Sequence, residues 1–260
     1  MKNLLREKLQ RGQPVIGTFV GLGHPDVTER LSRLGFDWLL IDGEHAPLSL
    51  ETMQVMMQAM NGSNCTPFIR PQWNDMVIIK RVLDIGAHGV LIPWVNTKEE
   101  AEYAVRACKY PPEGLRGCGP RRAALFDPDY AKMANDEILV VVQLETQKAV
   151  SNIDDILSVK GIDACYIGPF DLSQSFGCYP PQFGNSQFEM ANPQYINAFD
   201  KVVAVAKKWG KPAGMYAVQE SIQWAIEKGF TLNTVGNADS FLMEGARMAL
   251  EKAREAFSKA

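Results

Sequence analysis

The sequence predicts a single (β/α)8 barrel, and three observations predict it: the length, the alternation of short apolar runs with amphipathic stretches, and a phrase that recurs at every second run. A chain of 260 residues matches the roughly 250 that eight βα units need as one domain. Eight runs, at 15–20, 38–41, 67–69, 89–92, 138–144, 164–167, 213–216 and 232–235, are continuous, short and bounded by Gly, Pro or polar residues. That is the pattern of parallel strands buried on both faces. The phrase begins at Gly35 as Gly-Phe-Asp-Trp-Leu-Leu-Ile-Asp and returns in kind at Gly86, Gly161 and Gly229. In each case a glycine ends a helix, two residues turn and a buried strand follows. Recurrence at the second, fourth, sixth and eighth runs suggests assembly from βαβα units. An open doubly wound sheet is the alternative, because periodicity does not prove closure.

The stretches between the runs carry helix signals in order along the chain. Val27, Leu31 and Leu34 fall on one face, and Gly35 stops that helix. Thr97 with Glu100 makes a capping box ahead of Ala101, Ala104, Val105 and Cys108. Pro193 opens a helix whose face is Ile196, Phe199, Val203 and Ala206, ending near Gly210. The stretch 178–192, rich in Pro, Gly, Gln and Asn, is a loop after the sixth strand rather than a linker. Residues 1–260 therefore form one domain, with the C-terminal helix expected at a subunit interface.

Composition excludes several classes. Hydrophobic content of 46% with 22% charged residues belongs to a globular chain and not a disordered one. A formal charge of −3 exerts no general pull on nucleic acid or anionic lipid. No run approaches the ~18 apolar residues of a membrane span, and the N-terminus lacks a secretory core. The five cysteines are odd in number and show no CxxC spacing, so reduced thiols in a cytoplasmic protein are expected.

Barrel chemistry happens at the C-terminal mouth, where the βα loops gather. Strand two runs into Asp42-Gly43-Glu44-His45, strand three ends at Arg70-Pro71, strand five at Gln143-Leu144-Glu145-Thr146, and strand six at Gly168-Pro169-Phe170-Asp171. Glu145 and Asp171 end adjacent strands, about 5 Å apart by strand spacing. Two carboxylates held that close repel unless something positive lies between them, and a hard cation such as Mg2+ fits oxygen ligands. Solvated loop acids, or acids paired with arginine, are the alternatives. Gly168-Pro169 opens toward a short helix, whose first N–H groups could bind a carboxylate, although a Gly-Pro at a strand end is usually only a turn. Of three histidines, His45 alone lies where a base is useful. Arg70 can stabilise an enolate oxygen or, if structural, pair with Glu44. No predicted strand contains or ends in lysine, which disfavours Schiff-base chemistry.

Five phrases in order, Asp42-Gly-Glu-His45, Phe68-Ile-Arg-Pro71, Gly114-Leu-Arg-Gly-Cys-Gly-Pro120, Gln143-Leu-Glu-Thr146 and Ile167-Gly-Pro-Phe-Asp-Leu-Ser173, closely resemble the HpcH/HpaI aldolase family of class II, metal-dependent pyruvate aldolases. The similarity runs from about Pro14 to the last helix. It implies that Glu145 and Asp171 ligate Mg2+ or Mn2+, or a similar ion such as Co2+, with no organic cofactor. Pyruvate would chelate the ion, Arg70 would hold its keto oxygen with Gln143 nearby, and the backbone around Gly168, Pro169, Phe170 and Asp171 would take its carboxylate. His45 would be the base, acting through a metal-bound water. Asp84 matches a family acid that orients the histidine. The predicted topology puts it at the opposite mouth, so it would act from a neighbouring subunit of the family's hexamer.

The expected reaction is cleavage or formation of a 4-hydroxy-2-oxo acid, giving pyruvate and an aldehyde. Alternatives are an oxaloacetate decarboxylase or CoA-ester lyase of the same superfamily, or a non-catalytic oxo-acid-binding protein. The segment Pro120-Arg-Arg-Ala-Ala-Leu125 departs from the family pattern. Arg121 or Arg122 would there pair with an acidic acceptor or simply be surface charge.

Overall fold

A computed structural model of the chain describes residues 2–125, 127–178 and 192–259. The apolar runs become eight parallel strands: β1 (Val15–Val20), β2 (Trp38–Asp42), β3 (Thr66–Arg70), β4 (Gly89–Ile92), β5 (Leu139–Leu144), β6 (Ala164–Ile167), β7 (Ala213–Ala217) and β8 (Leu232–Asn237). They pair in sequence order and close, with Val15 of β1 against Leu232 of β8. That last ladder removes the open-sheet alternative, and closure leaves no strand edge unpaired.

Around the strands lie α1 (Leu4–Gln10), α2 (Pro25–Leu31), α3 (Leu50–Ala59), α4 (Met76–Asp84), α5 (Lys98–Cys108), α6 (Tyr130–Glu137), α7 (Gln147–Ser151), α8 (Ile153–Ser158), α9 (Pro169–Ser175), α10 (Pro193–Lys208), α11 (Ile222–Lys228) and α12 (Ala238–Ser258). The two faces of each strand feed two cores. Leu39, Ile41, Ile69, Val90, Val140 and Val142 pack outward under the helices. Trp38, Leu40, Phe68, Leu91, Val141 and Tyr166 fill the barrel interior. There Trp38 meets Phe68 and Tyr166 edge-on, at centroid distances of 5.3 and 6.3 Å, each pair adding about 0.5–1.5 kcal/mol beyond its burial. Leu5 and Leu9 of α1 join this inner core. Hydrogen bonds from Asn3 to the His88 carbonyl and from Arg6 to Asp163 seat α1 across the N-terminal ends of the strands. The barrel is thus plugged at one mouth and open at the other.

The recurring phrase has a physical basis. Gly35, Gly86, Gly161 and Gly229 all adopt φ between +100° and +106°, a conformation any side chain would strain. The capping box at Thr97 and Glu100 forms, and Pro193 opens α10. Two helix faces differ from expectation. The buried face of α10 is Tyr195, Ala198, Phe199, Val202 and Ala206; Ile196 and Val203 are only partly buried beside it. Leu34 lies beyond the end of α2 in the turn to Gly35 and is 73% exposed, so it belongs to no helical face. Apart from its end residues Cys178 and Asn192, the stretch read as a loop at 178–192 lies outside the described residues. The five cysteines form no disulfide, and no described helix is long and apolar enough to cross a membrane.

Candidate active site at the C-terminal mouth

Strand register builds the site from the bottom up. Asp42 and Arg70 are partners at the ends of β2 and β3, so their side chains meet at once. Arg70 Nε donates to Asp42 Oδ1 at 2.9 Å and Nη2 to Oδ2 at 2.7 Å, a buried bidentate pair. Burial opposes ionisation of Asp42, but the Arg70 hydrogen bonds and charge, with the Glu44 and His45 amides, outweigh it and hold its carboxyl below the usual range. Nη1 of Arg70 lies 3.1 Å from Glu44 Oε2 and 3.5 Å from Gln143 Oε1. The Glu44 contact brings the charges together without hydrogen-bond alignment. Its guanidinium also covers the Phe19 ring at 4.9 Å. Arg70 is therefore aimed by Asp42 first and touched by Glu44 second, where sequence reasoning expected an acid such as Glu44.

On the other side of the mouth, Glu145 follows β5 and is almost wholly buried. Its Oε1 accepts the Trp94 amide at 2.8 Å, and Gln143 Nε2 donates to its Oε2. Trp94 reaches this position with φ +59°, unusual for a residue with a side chain. Gly168 follows β6 beside it: a β-carbon there would come within 2.7 Å of Glu145 Oε2 and 3.0 Å of Gln143 Nε2. The chain then enters α9 through Pro169, which places Asp171 in the first turn. Burial pushes Glu145 up to about 7, with Glu44 and Asp171 adding repulsion. Burial likewise pushes Glu44 up to about 7, with Asp42 and Asp171 reinforcing it against Arg70.

Two adjoining cavities share this chemistry. One of about 640 Å3 is lined by Asp42, His45, Arg70, Gln143, Gly168 and Asp171, among others. The second, about 380 Å3, lies between Glu44, His45, Trp73, Trp94, Glu145 and Asp171; the Trp73 and Trp94 rings are 6.5 Å apart. His45 borders both, is largely exposed, and its Nε2 is 3.8 Å from Glu44 Oε2. Among the described residues no lysine lines either cavity.

The chain thus brings together His45, Arg70, Gln143, Glu145, Gly168, Pro169, Phe170 and Asp171. Asp84 is elsewhere. It ends α4, at the plugged mouth, and holds Arg116 at 2.8 Å; Arg116 is buried against the Tyr110 and Tyr130 rings. Arg122 is at that mouth too, donating to the Ile85 carbonyl and to Asn61 Oδ1 at 3.0 Å each. Sequence reasoning missed the Asp42 anchor and the Trp94 amide. The register Asp42↔Arg70 was a readable signal for the first; a backbone donor left none for the second.

Oxygen donors make this site suited to a hard cation. Glu145 and Asp171 face one cavity together with Glu44, and their mutual repulsion adds to the burial that pushes Glu145 and Glu44 up. Among the described residues no three His, Cys, Asp or Glu side chains form a group that could hold a metal ion by themselves; a cation here would need substrate or water to complete its oxygen shell.

A family model described as HpcH/HpaI aldolase/citrate lyase matches residues 15–243. A 4-hydroxy-2-oxo-heptane-1,7-dioate aldolase of Salmonella typhi is 41% identical over 251 residues, covering 95% of this chain and 92% of that protein. Among solved structures, an HpcH/HpaI aldolase/citrate lyase family protein from Burkholderia cenocepacia J2315 aligns with TM-score 0.89 and 31% identity, over 97% of this chain and 100% of the other. Citrate synthase SbnG aligns with TM-score 0.84 and 27% identity, over 98% of each chain.

Proposed function

The chain belongs to the HpcH/HpaI aldolase/citrate lyase family, and from that premise we propose that it is a divalent-metal-dependent aldolase which cleaves or forms 4-hydroxy-2-oxo acids at the open mouth of the barrel. Carbon–carbon lyase chemistry is the activity of the family; the site residues and their roles are our reading. One observation carries it: the buried Glu145, just after β5, and the half-buried Asp171, in the first turn of α9, line one cavity, and Asp171 lines a second cavity together with Arg70. Glu145 and Asp171 would hold Mg2+ or Mn2+, which supplies Lewis-acid polarisation of a bound 2-oxo acid.

The chain's own residues supply the rest. Arg70, kept charged against burial by Asp42, Glu44 and Glu145, points Nη1 at the keto oxygen where negative charge develops. The backbone around Phe170 and Asp171, in the first turn of α9, would take the carboxylate. His45 removes the C4 hydroxyl proton. The C3–C4 bond breaks, the aldehyde departs, and the electron pair passes to the C2 oxygen beside Arg70; protonation at C3 then gives pyruvate. Run backwards, the same steps join pyruvate to an aldehyde.

Asp84 acts, in this reading, on His45 of an adjacent subunit of a homohexamer in the cytoplasm. Support for assembly comes from α12, whose Leu242, Met243, Met248 and Phe257 are exposed along one long helix, a surface that a partner would cover. Partners are otherwise small molecules. The test is a panel of 4-hydroxy-2-oxo acids with pyruvate detected, before and after exhaustive chelation by EDTA. Pyruvate release that EDTA abolishes and Mg2+ or Mn2+ restores is expected; release that survives chelation refutes the mechanism.

A further inference from the structure

The larger cavity holds more than a three-carbon keto acid requires. It extends from His45 and Asp171 across the ends of β7, β8 and β1, away from Glu145. The wall on that side is built by Tyr216, Asn237 and Asp239, with Phe19 and Phe170 against the Tyr216 ring at 5.6 and 5.9 Å. Asn237 Nδ2 donates to Tyr216 Oη at 3.1 Å, while its Oδ1 caps α12 through the Ser240 amide at 2.8 Å, so the pair is held in place. Asp239 follows in the first turn of α12. Its Oδ2 lies beside Gly21, 3.4 Å from where a β-carbon there would be, and both residues line the cavity.

Charge decides what that wall accepts. Arg70 is engaged by Asp42 and Glu44, and Arg122 is bound at the opposite mouth. The formal charge that the described residues put on the far wall is the Asp239 carboxylate. A second carboxylate would meet it without a counter-ion, whereas a hydroxyl would find amide, phenol and carboxylate groups within one surface. We propose that this half of the cavity is the acceptor subsite and that it takes an uncharged, hydroxyl-bearing aldehyde rather than an aldehyde acid. It has that role only if the mouth forms the pyruvate nucleophile proposed above.

Two measurements on the full chain with Mn2+ separate the ideas. Exchange of the pyruvate methyl hydrogens in D2O, followed by NMR without aldehyde, reports nucleophile formation alone; no exchange in the unaltered protein overturns the pyruvate reading and this one with it. Addition of pyruvate to D-glyceraldehyde, propanal and succinate semialdehyde then reports the acceptor. With exchange intact, kcat/KM is expected to rank glyceraldehyde first. Asp239→Lys, at an exposed position, is expected to raise kcat/KM for succinate semialdehyde relative to glyceraldehyde by about tenfold, the effect of one charge-assisted hydrogen bond, with Asp239→Asn between the two and exchange unchanged in both. An unaltered protein that prefers succinate semialdehyde, or a ratio that Asp239→Lys does not move, overturns the acceptor assignment while leaving the pyruvate site standing.

Discussion

Gly168→Ala adds one methyl group to the floor of the site and tests how the acids are held. The backbone at Gly168 has φ −90° and ψ 93°, a region open to alanine, so the substitution brings no backbone strain. As an N-cap without a side-chain hydrogen bond, glycine gives way to alanine at a cost of under about 1 kcal/mol in stability. The new β-carbon would stand 2.7 Å from Glu145 Oε2 and 3.0 Å from Gln143 Nε2. Ordinary contact lies several tenths of an ångström further out, so Glu145 must withdraw by about that much. Metal–oxygen distances tolerate only about 0.2 Å. Disturbing the groups that orient a ligand typically weakens metal binding about 10- to 100-fold. Mn2+ titration by calorimetry should therefore show that loss, with a thermal midpoint within a few degrees of the parent. An alanine variant that binds Mn2+ as tightly as the parent, its fold intact, would show that Glu145 and Gly168 do not share a metal floor.

Three further outcomes follow from the same geometry. Asp42→Asn removes one partner of a buried, bidentate pair and should cost about 3 kcal/mol by urea unfolding; turnover should fall about 100-fold or more as Arg70 loses its aim, and an unchanged urea midpoint would contradict the pairing. Glu145 is raised to about 7 from 4.5, so its contribution to stability is full below 4.5 and is lost as pH rises through about 7. The metal-free protein should accordingly lose thermal stability over that window. Glu145→Gln should flatten the profile, and Mn2+ should restore the parent but not the variant. His88 titrates in the opposite sense. Burial, with Arg122 nearby, lowers it from 6.5 to about 4, so the neutral ring favours the fold above 6.5 and stability is lost as pH falls toward 4. His88→Asn should remove part of that acid sensitivity, measured by urea midpoints at pH 7 and pH 4.5.

The barrel was legible because each strand is buried on both faces and so reads as an uninterrupted apolar run. The left-handed glycines were legible because few residues other than glycine tolerate that conformation. Faces were less secure. Leu34 was misplaced because α2 ends three residues before it and the chain turns, and the α10 stripe was misread because Tyr195 buries its ring there. At the site, residues announced by strand ends reached the mouth. The Trp94 amide was invisible because backbone atoms carry no letter, and the wall of Tyr216, Asn237 and Asp239 because it joins three elements whose spacing in sequence says nothing of their adjacency. Asp84 is the opposite case. Its resemblance to a family residue names a role, while its bond to Arg116 describes what it does within its own subunit.

Trp73 and Trp94 line the same cleft as Glu145 and Asp171. Two of the protein's five indoles therefore sit against the spot where a cation would arrive. Paramagnetic ions darken nearby emitters, so filling of this cleft by Mn2+ or Co2+ would dim the native ultraviolet glow in proportion to occupancy. The enzyme carries its own unlabelled gauge of loading, readable in a cuvette before any substrate is added.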